Sequence, residues 1–175
     1  MIGEEIHYLH SSARENVLEH LFIGELLKTL WCNGMHDVEV LRSEVDDCGY
    51  DLVIECNSFI RHVQLKSTHR QGKASRQKIN IKIAAKPGGC VVWMLFDSKS
   101  LELGPFRWLG GTPGQPIPSL GNKIARHTKG NSEGKKLERP NIRVINKGQF
   151  REVASMTGLV RELFGDCAPA PGGAA

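Results

Sequence analysis

The chain has 175 residues, 40% of them hydrophobic, and 23 Lys or Arg against 19 Asp or Glu give a formal net charge of +4. That length favours one domain with enough chain for a real core. The lack of an apolar run of about 18 residues argues against a transmembrane span. Five cysteines (Cys32, Cys48, Cys56, Cys90, Cys167) show no C-x-x-C spacing; they read as reduced thiols of a cytoplasmic protein, not as a disulfide frame or zinc site. Met1 to Glu5 has neither the basic start nor the apolar stretch of a signal peptide.

In chain order, Ser12-Ala13-Arg14-Glu15 reads as a capping box opening a helix to about Cys32, ended near Asn33-Gly34. At roughly 100° per residue its apolar stripe contains Leu18, Phe22, Ile23, Leu26 and Leu30. Glu15 and Glu19 fall inside that stripe, where an acid is costly without a partner or a cation. Asp37 to Leu41 alternates polar and apolar residues and is a predicted strand. Asp46-Asp47-Cys48-Gly49 is then a loop that delivers Asp51.

Tyr50 to Lys66 is predicted to be a β-hairpin, turning at the polar pair Asn57-Ser58 between two stretches rich in Val, Ile, Leu and Phe. A two-residue loop sets the register, with Cys56 opposite Phe59, Glu55 opposite Ile60 and Asp51 opposite Gln64. Directly opposed side chains lie roughly 4.5–5.5 Å apart at Cβ. Lys66 shares the face of Gln64, because side chains alternate along a strand. A carboxylate, an amide oxygen and an ammonium thus gather at one spot.

That arrangement suits phosphodiester hydrolysis. A divalent ion activates water and offsets phosphate charge, while a lysine positions the nucleophile or stabilises the pentavalent state. Asp51 is the principal hard oxygen ligand expected for Mg²⁺ or Mn²⁺, and Gln64 a neutral carbonyl ligand. Lys66 is the catalytic ammonium, and Glu19 supplies the negative charge that Gln64 lacks. Asp47 is the alternative to Glu19. Glu55 is a poorer candidate, about 13 Å along the strand from Asp51.

Further on, Lys78 to Ile83 is a predicted strand with Ile79, Ile81 and Ile83 on one side. After Pro87-Gly88-Gly89, the continuous apolar run Cys90 to Phe96 reads as a buried strand. Pro105 to Leu109 reads as an edge strand, Gly110 to Gly121 as a Gly/Pro-rich surface loop, and Asn141 to Ile145 as a short strand. Ser155 to Phe164 is a closing helix before Gly165. Trp93, Phe106 and Trp108 read as core, and His62 as a packed neighbour beside the hairpin. The expected domain spans 1–165, with 166–175 a disordered tail.

Charge is unevenly spread. Seven acids lie between Asp37 and Glu55 against Arg42 alone, and no acid occurs from Cys56 to Phe96. That second stretch carries Arg61, Lys66, Arg70, Lys73, Arg76, Lys78, Lys82 and Lys86. Nine further Lys or Arg lie between Lys123 and Arg151. An acidic pocket bordered by basic surface fits a cation held beside a polyanion. Arg70, Lys73, Arg76 and Lys78 are the expected nucleic-acid contacts, and Lys123 to Arg151 is the next candidate.

The order of a helix bearing Glu19, a strand, Gly49-Tyr50-Asp51-Leu52-Val53 and then Val63-Gln64-Leu65-Lys66-Ser67 resembles the PD-(D/E)XK nuclease superfamily. It is most similar to the branch with Q-x-K in place of (D/E)-x-K, over roughly Ser12 to Phe96. No proline precedes Asp51 here, and Gln64 stands where an acid is usual. The resemblance implies a restriction-endonuclease-like α/β fold: a mixed central sheet flanked by helices, with Glu19, Asp51, Gln64 and Lys66 converging at one edge. It implies a Mg²⁺-dependent endonuclease acting on nucleic acid, DNA favoured, with no membrane partner and a homodimer left open. The rival expectation is a nucleic-acid-binding module of the same fold that does not cleave.

Overall fold

The computed structural model describes residues 9–44, 48–129 and 134–166. Among them, α1 (Ser11–Cys32) is followed by β1 (Val38–Arg42), β2 (Leu52–Cys56), β3 (Phe59–His69), β4 (Arg76–Asn80) and a 3₁₀ turn (Ile81–Ala85). Next come β5 (Gly89–Phe96), β6 (Leu103–Gly110), β7 (Ile124–Arg126), β8 (Glu138–Asn146), a 3₁₀ turn (Lys147–Gln149), β9 (Arg151–Val153) and α2 (Met156–Phe164). Asp46 and Asp47, and the expected tail from Cys167 onward, lie outside the described residues. No helix among the described residues is long and apolar enough to cross a membrane.

The architecture is mixed α/β. Six strands form one sheet in the order β1-β2-β3-β5-β6-β9, and β4-β8-β7 form a second. β1, β2 and β3 are an antiparallel meander, whereas β5 runs parallel to β3. A parallel neighbour requires a crossover connection, and here the crossover carries β4 and the first 3₁₀ turn. Leu18, Phe22, Leu26 and Leu30 of α1 pack with Leu159, Val160 and Leu163 of α2 on one face of the large sheet, over Leu52, Ile54, Val63 and Val92. On the other face, Val91, Trp93 and Leu95 meet Ile79 and Ile145 of the second sheet. β5 therefore lies between two cores, which is why its sequence is an unbroken apolar run.

The hairpin turns as its sequence requires. Asn57 and Ser58 both take positive φ (47° and 69°), the backbone of a two-residue turn whose twist matches the flanking strands. Cys56 pairs with Phe59, Glu55 with Ile60 and Leu52 with Val63. Ser155 caps α2 by accepting from the Gly158 N–H at 3.2 Å, and Gly165 closes it at φ 78°.

Several elements differ from expectation. The capping box does not form: the Arg14 N–H already donates to the His10 carbonyl at 2.9 Å, so Ser12 lies inside the helix. The strand expected over Lys78 to Ile83 stops at Asn80, whose side chain accepts from the Lys82 N–H and opens the 3₁₀ turn. β6 is not an edge strand, because β9 pairs along its outer side. Pro105 precedes the paired residues Phe106 to Trp108 and so removes no ladder donor. β8 is longer than the strand expected over Asn141 to Ile145, and β7 and β9 are too short for periodicity to reveal.

Arg61, one of the cations in the acid-free stretch, is fully buried. Its guanidinium donates to the carbonyls of Leu163 (2.6 Å), Glu162 (3.1 Å) and Gly111 (3.1 Å). It therefore satisfies carbonyls at the C-terminal end of α2, where a cation also complements the helix dipole. Burial lowers its pKa, yet an arginine stays charged. Arg61→Met is expected to cost about 3 kcal/mol, because charged hydrogen bonds vanish and carbonyls are stranded. For a chain this long that is a fall in Tm of roughly 6–12 °C, readable in a thermal melt.

Candidate functional site

The β2–β3 ladder ends just where the acidic residue enters. Gly49, at φ 81°, turns the chain into Asp51; a Cβ there would stand 3.2 Å from Asn80, Lys82 and the Ile83 backbone. The Gly49-x-Asp51 spacing thus has a local cause: a left-handed turn packed against the 3₁₀ segment. The Asp51 N–H donates at 2.9 Å to the carbonyl of Val63, the residue that Leu52 already opposes, so regular pairing ends at Leu52 and the expected Asp51–Gln64 pair is not part of the ladder. Among the described residues, no strand pairs with β3 on its β2 side from there to His69. The first donor exposed in that gap, the Leu65 N–H, is taken by Asp51 Oδ2 at 2.5 Å. The carboxylate thereby substitutes for the missing ladder partner and is held in place by it.

That gap is a cleft of about 420 Å³, lined by Glu15, Asn16 and Glu19 of α1, by Asp51, by Gln64, Lys66 and Ser67 of β3, and by Gln77 of β4. All four residues expected at the site therefore line one cavity. They reach it from different sides. Gln64 and Lys66 pair with Val91 and Trp93 and so face the second sheet, while Glu19 arrives from the helix-covered face. Only where β2 stops can the two sides meet.

Each candidate has its own surroundings. Gln64 is buried (5% exposed), and its side-chain oxygen accepts from the Asn80 N–H at 3.2 Å. Glu19 lies 2.5 Å from Arg42 Nε, and the Arg42 guanidinium also lies 3.4 Å from His20 Nε2. Lys66 is half-buried and lines the cleft. Sequence reasoning did not foresee Arg42 or Asn80 as partners, since both pairings depend on how distant elements pack. Asp47, the alternative to Glu19, lies outside the described residues. His62 does pack: its ring meets Tyr50 at 4.9 Å and its Nδ1 lies 2.8 Å from the Pro87 carbonyl.

A second cleft of about 590 Å³ adjoins the first. It is lined by Lys66, Arg76, Gln77, Lys78, Lys123, Ile124, Arg126 and Val144. Lys66 and Gln77 belong to both clefts. Two of the four expected phosphate-contacting residues, Arg76 and Lys78, lie here. Arg70 does not: its guanidinium donates to the Gly104 carbonyl at 2.7 Å and pairs with Glu102 at 3.5 Å. Lys73 is exposed on the turn between β3 and β4 and lines neither cleft. Lys123 and Arg126 take their places, brought in by the short strand β7.

Among the described residues, no three His, Cys, Asp or Glu side chains gather as a metal-binding group. The donors that the cleft offers are the carboxylates of Asp51, Glu19 and Glu15, the amide oxygens of Gln64, Asn16 and Gln77, and the Ser67 hydroxyl. This hard-oxygen set fits Mg²⁺ or Mn²⁺, since Mg²⁺ takes one or two carboxylates and keeps several waters. Compared with known proteins, the chain matches no family model and no curated sequence.

The donor set makes a direct prediction. Gln64→Glu adds an acid, in a nearly buried position, to the cleft that Asp51 also lines, so without cation the carboxylates repel. Its melting temperature in EDTA should drop, and Mn²⁺ should restore it. Calorimetric titration should give tighter Mn²⁺ binding than in the unchanged protein. Equal or weaker affinity would mean that residue 64 does not face the ion.

Proposed function

We propose that this protein is a divalent-cation-dependent nuclease, with DNA the favoured substrate, built on a restriction-endonuclease-like domain. One observation carries the reading: the cleft holding Glu19, Asp51, Gln64 and Lys66 opens, through Lys66 and Gln77, into a cleft lined by Arg76, Lys78, Lys123 and Arg126. A polyanion lying along the basic cleft would bring its backbone to the acidic one. An α-helix followed by an antiparallel meander and a parallel strand, with the candidate residues at the end of the β2–β3 pairing, agrees with the resemblance to the PD-(D/E)XK superfamily.

In this reading Asp51, Glu19 and Gln64 hold Mg²⁺ or Mn²⁺, which when bound activates water and offsets charge on the phosphate. The Leu65 N–H fixes one Asp51 oxygen, so the carboxylate is oriented before any ligand arrives. Lys66 stands where both clefts meet and places its ammonium against the scissile phosphate. Arg76, Lys78, Lys123 and Arg126 neutralise neighbouring phosphates and set the register of the strand without reading its sequence.

The alternative is a module that binds nucleic acid and does not cleave it. Glu19 is already paired with Arg42, and the Gln64 oxygen already accepts from Asn80; both favour this second reading. Incubation with plasmid and single-stranded DNA in Mg²⁺, Mn²⁺ or EDTA separates the two. Metal-dependent nicking supports the nuclease. Salt-sensitive binding with no cleavage in any metal supports the binding module.

A further inference from the structure

Two acids that line the Asp51 cleft are held in different ways. Asp51 accepts from a neutral donor, the Leu65 N–H, at 2.5 Å. Glu19 instead meets a full positive charge, with Arg42 Nε 2.5 Å from its Oε1. The two members of that pair are unequally anchored. The Glu19 side chain is only 18% exposed and lines the cleft, whereas the Arg42 side chain is 47% exposed on the last residue of β1, an edge strand. His20 steadies the guanidinium: its Nδ1 lies 2.7 Å from the Asn16 carbonyl, which leaves Nε2 to accept from Arg42 Nη1 at 3.4 Å. A half-exposed pair of this kind is weak, and its cation can withdraw into water. The acid stays in the cleft.

A divalent ion and a guanidinium on one carboxylate repel each other, and the hard divalent ion is the stronger partner for a carboxylate oxygen. We propose that Arg42 is a built-in counter-cation that occupies Glu19 until a divalent ion displaces it, and so sets the ion concentration at which the cleft fills. The inference rests on the nuclease reading, in which Glu19 is a ligand. It gives the Glu19–Arg42 pair a place in that reading, as the resting state of the ligand. Without an ion, Arg42 compensates an acid that stands in a mostly apolar helix stripe. Ion affinity is lowered in return, because only the fraction of molecules whose Glu19 is released can bind.

Calorimetric titration of the full chain with Mn²⁺, without nucleic acid, tests this. Arg42→Gln should bind Mn²⁺ about fivefold more tightly than the parent, the change expected when a half-exposed pair at the upper end of its usual strength no longer competes. Glu19→Gln should weaken binding. In that Glu19→Gln background, Arg42→Gln should change affinity by less than about twofold, which separates competition for the acid from removal of a nearby charge. Arg42→Gln should melt within about 4 °C of the parent. Displacement itself is readable in ¹⁵N spectra with diamagnetic Mg²⁺. The Arg42 Nε–H signal, identified by its loss in Arg42→Gln, should shift in step with Mg²⁺ binding in the parent and stay still in Glu19→Gln. Affinity in Arg42→Gln at or below the parent's, or an equal gain in both backgrounds, overturns the proposal and leaves the cation reading standing. Unchanged affinity in Glu19→Gln removes Glu19 as a ligand and the proposal with it, and no Mn²⁺ binding by any of the proteins removes the cation reading as well.

Discussion

Metal-dependent cleavage is expected to fall by about 10²–10³-fold in Lys66→Ala, the loss typical when one preorganised charge-stabilising donor is removed. It should fall at least as far in Asp51→Asn. Asn is the informative replacement, because its side-chain oxygen can still accept from the Leu65 N–H that Asp51 Oδ2 holds at 2.5 Å. The gap beside β3 keeps its shape and loses only the charge. Asp51→Ala would also strand that N–H, mixing a folding cost of roughly 1–3 kcal/mol with the chemical one. Lys66 is half-buried, so truncating it should move Tm by no more than about 2 °C. Binding of DNA in EDTA should persist in both variants. Nicking at the parent's rate by both, in preparations matched by melting, would remove Asp51 and Lys66 from the chemistry.

What the sequence made legible was local. The Asn57-Ser58 turn fixes the register from Cys56–Phe59 back to Leu52–Val63; the Asp51–Gln64 pair expected by counting lies beyond the end of that ladder, though both residues line the cleft. The α1 core stripe, the buried β5 run and the Ser155 and Gly165 caps are equally short-range signals. The second sheet was not legible, because β4 and β8 pair Gln77 with Ile145 across nearly seventy residues and β7 has only three. The fates of individual cations were hidden for the same reason. Arg61, Arg70 and Arg76 look alike in sequence, yet the first holds the end of α2, the second holds β6, and only the third reaches a cleft. Glu19 was legible as an acid in an apolar stripe, but its Arg42 partner lies on β1, the edge strand of the large sheet.

Nucleic-acid affinity should depend on Arg76, Lys78, Lys123 and Arg126 and not on Arg70. The four line one cleft that joins the Asp51 cavity, whereas Arg70 is committed to Gly104 and Glu102. Arg126 pairs with Glu138 at 3.4 Å, but both side chains are more than half exposed. Such a pair is worth only about 0–1 kcal/mol and yields readily to a phosphate. Replacing all four by Ala should weaken DNA binding by about 10²-fold or more, and should flatten log affinity against log salt by about 0.9 for each duplex phosphate no longer neutralised. The weakening should be similar for unrelated sequences, since bonds to phosphate carry no base information. Fluorescence anisotropy over a salt series reads both quantities. Arg70→Ala with Lys73→Ala is the matched control: it removes two charges from the same stretch and should leave the slope unchanged. A slope that falls with the control and not with the four would move the DNA path to the β3–β4 turn and separate it from the Asp51 cleft.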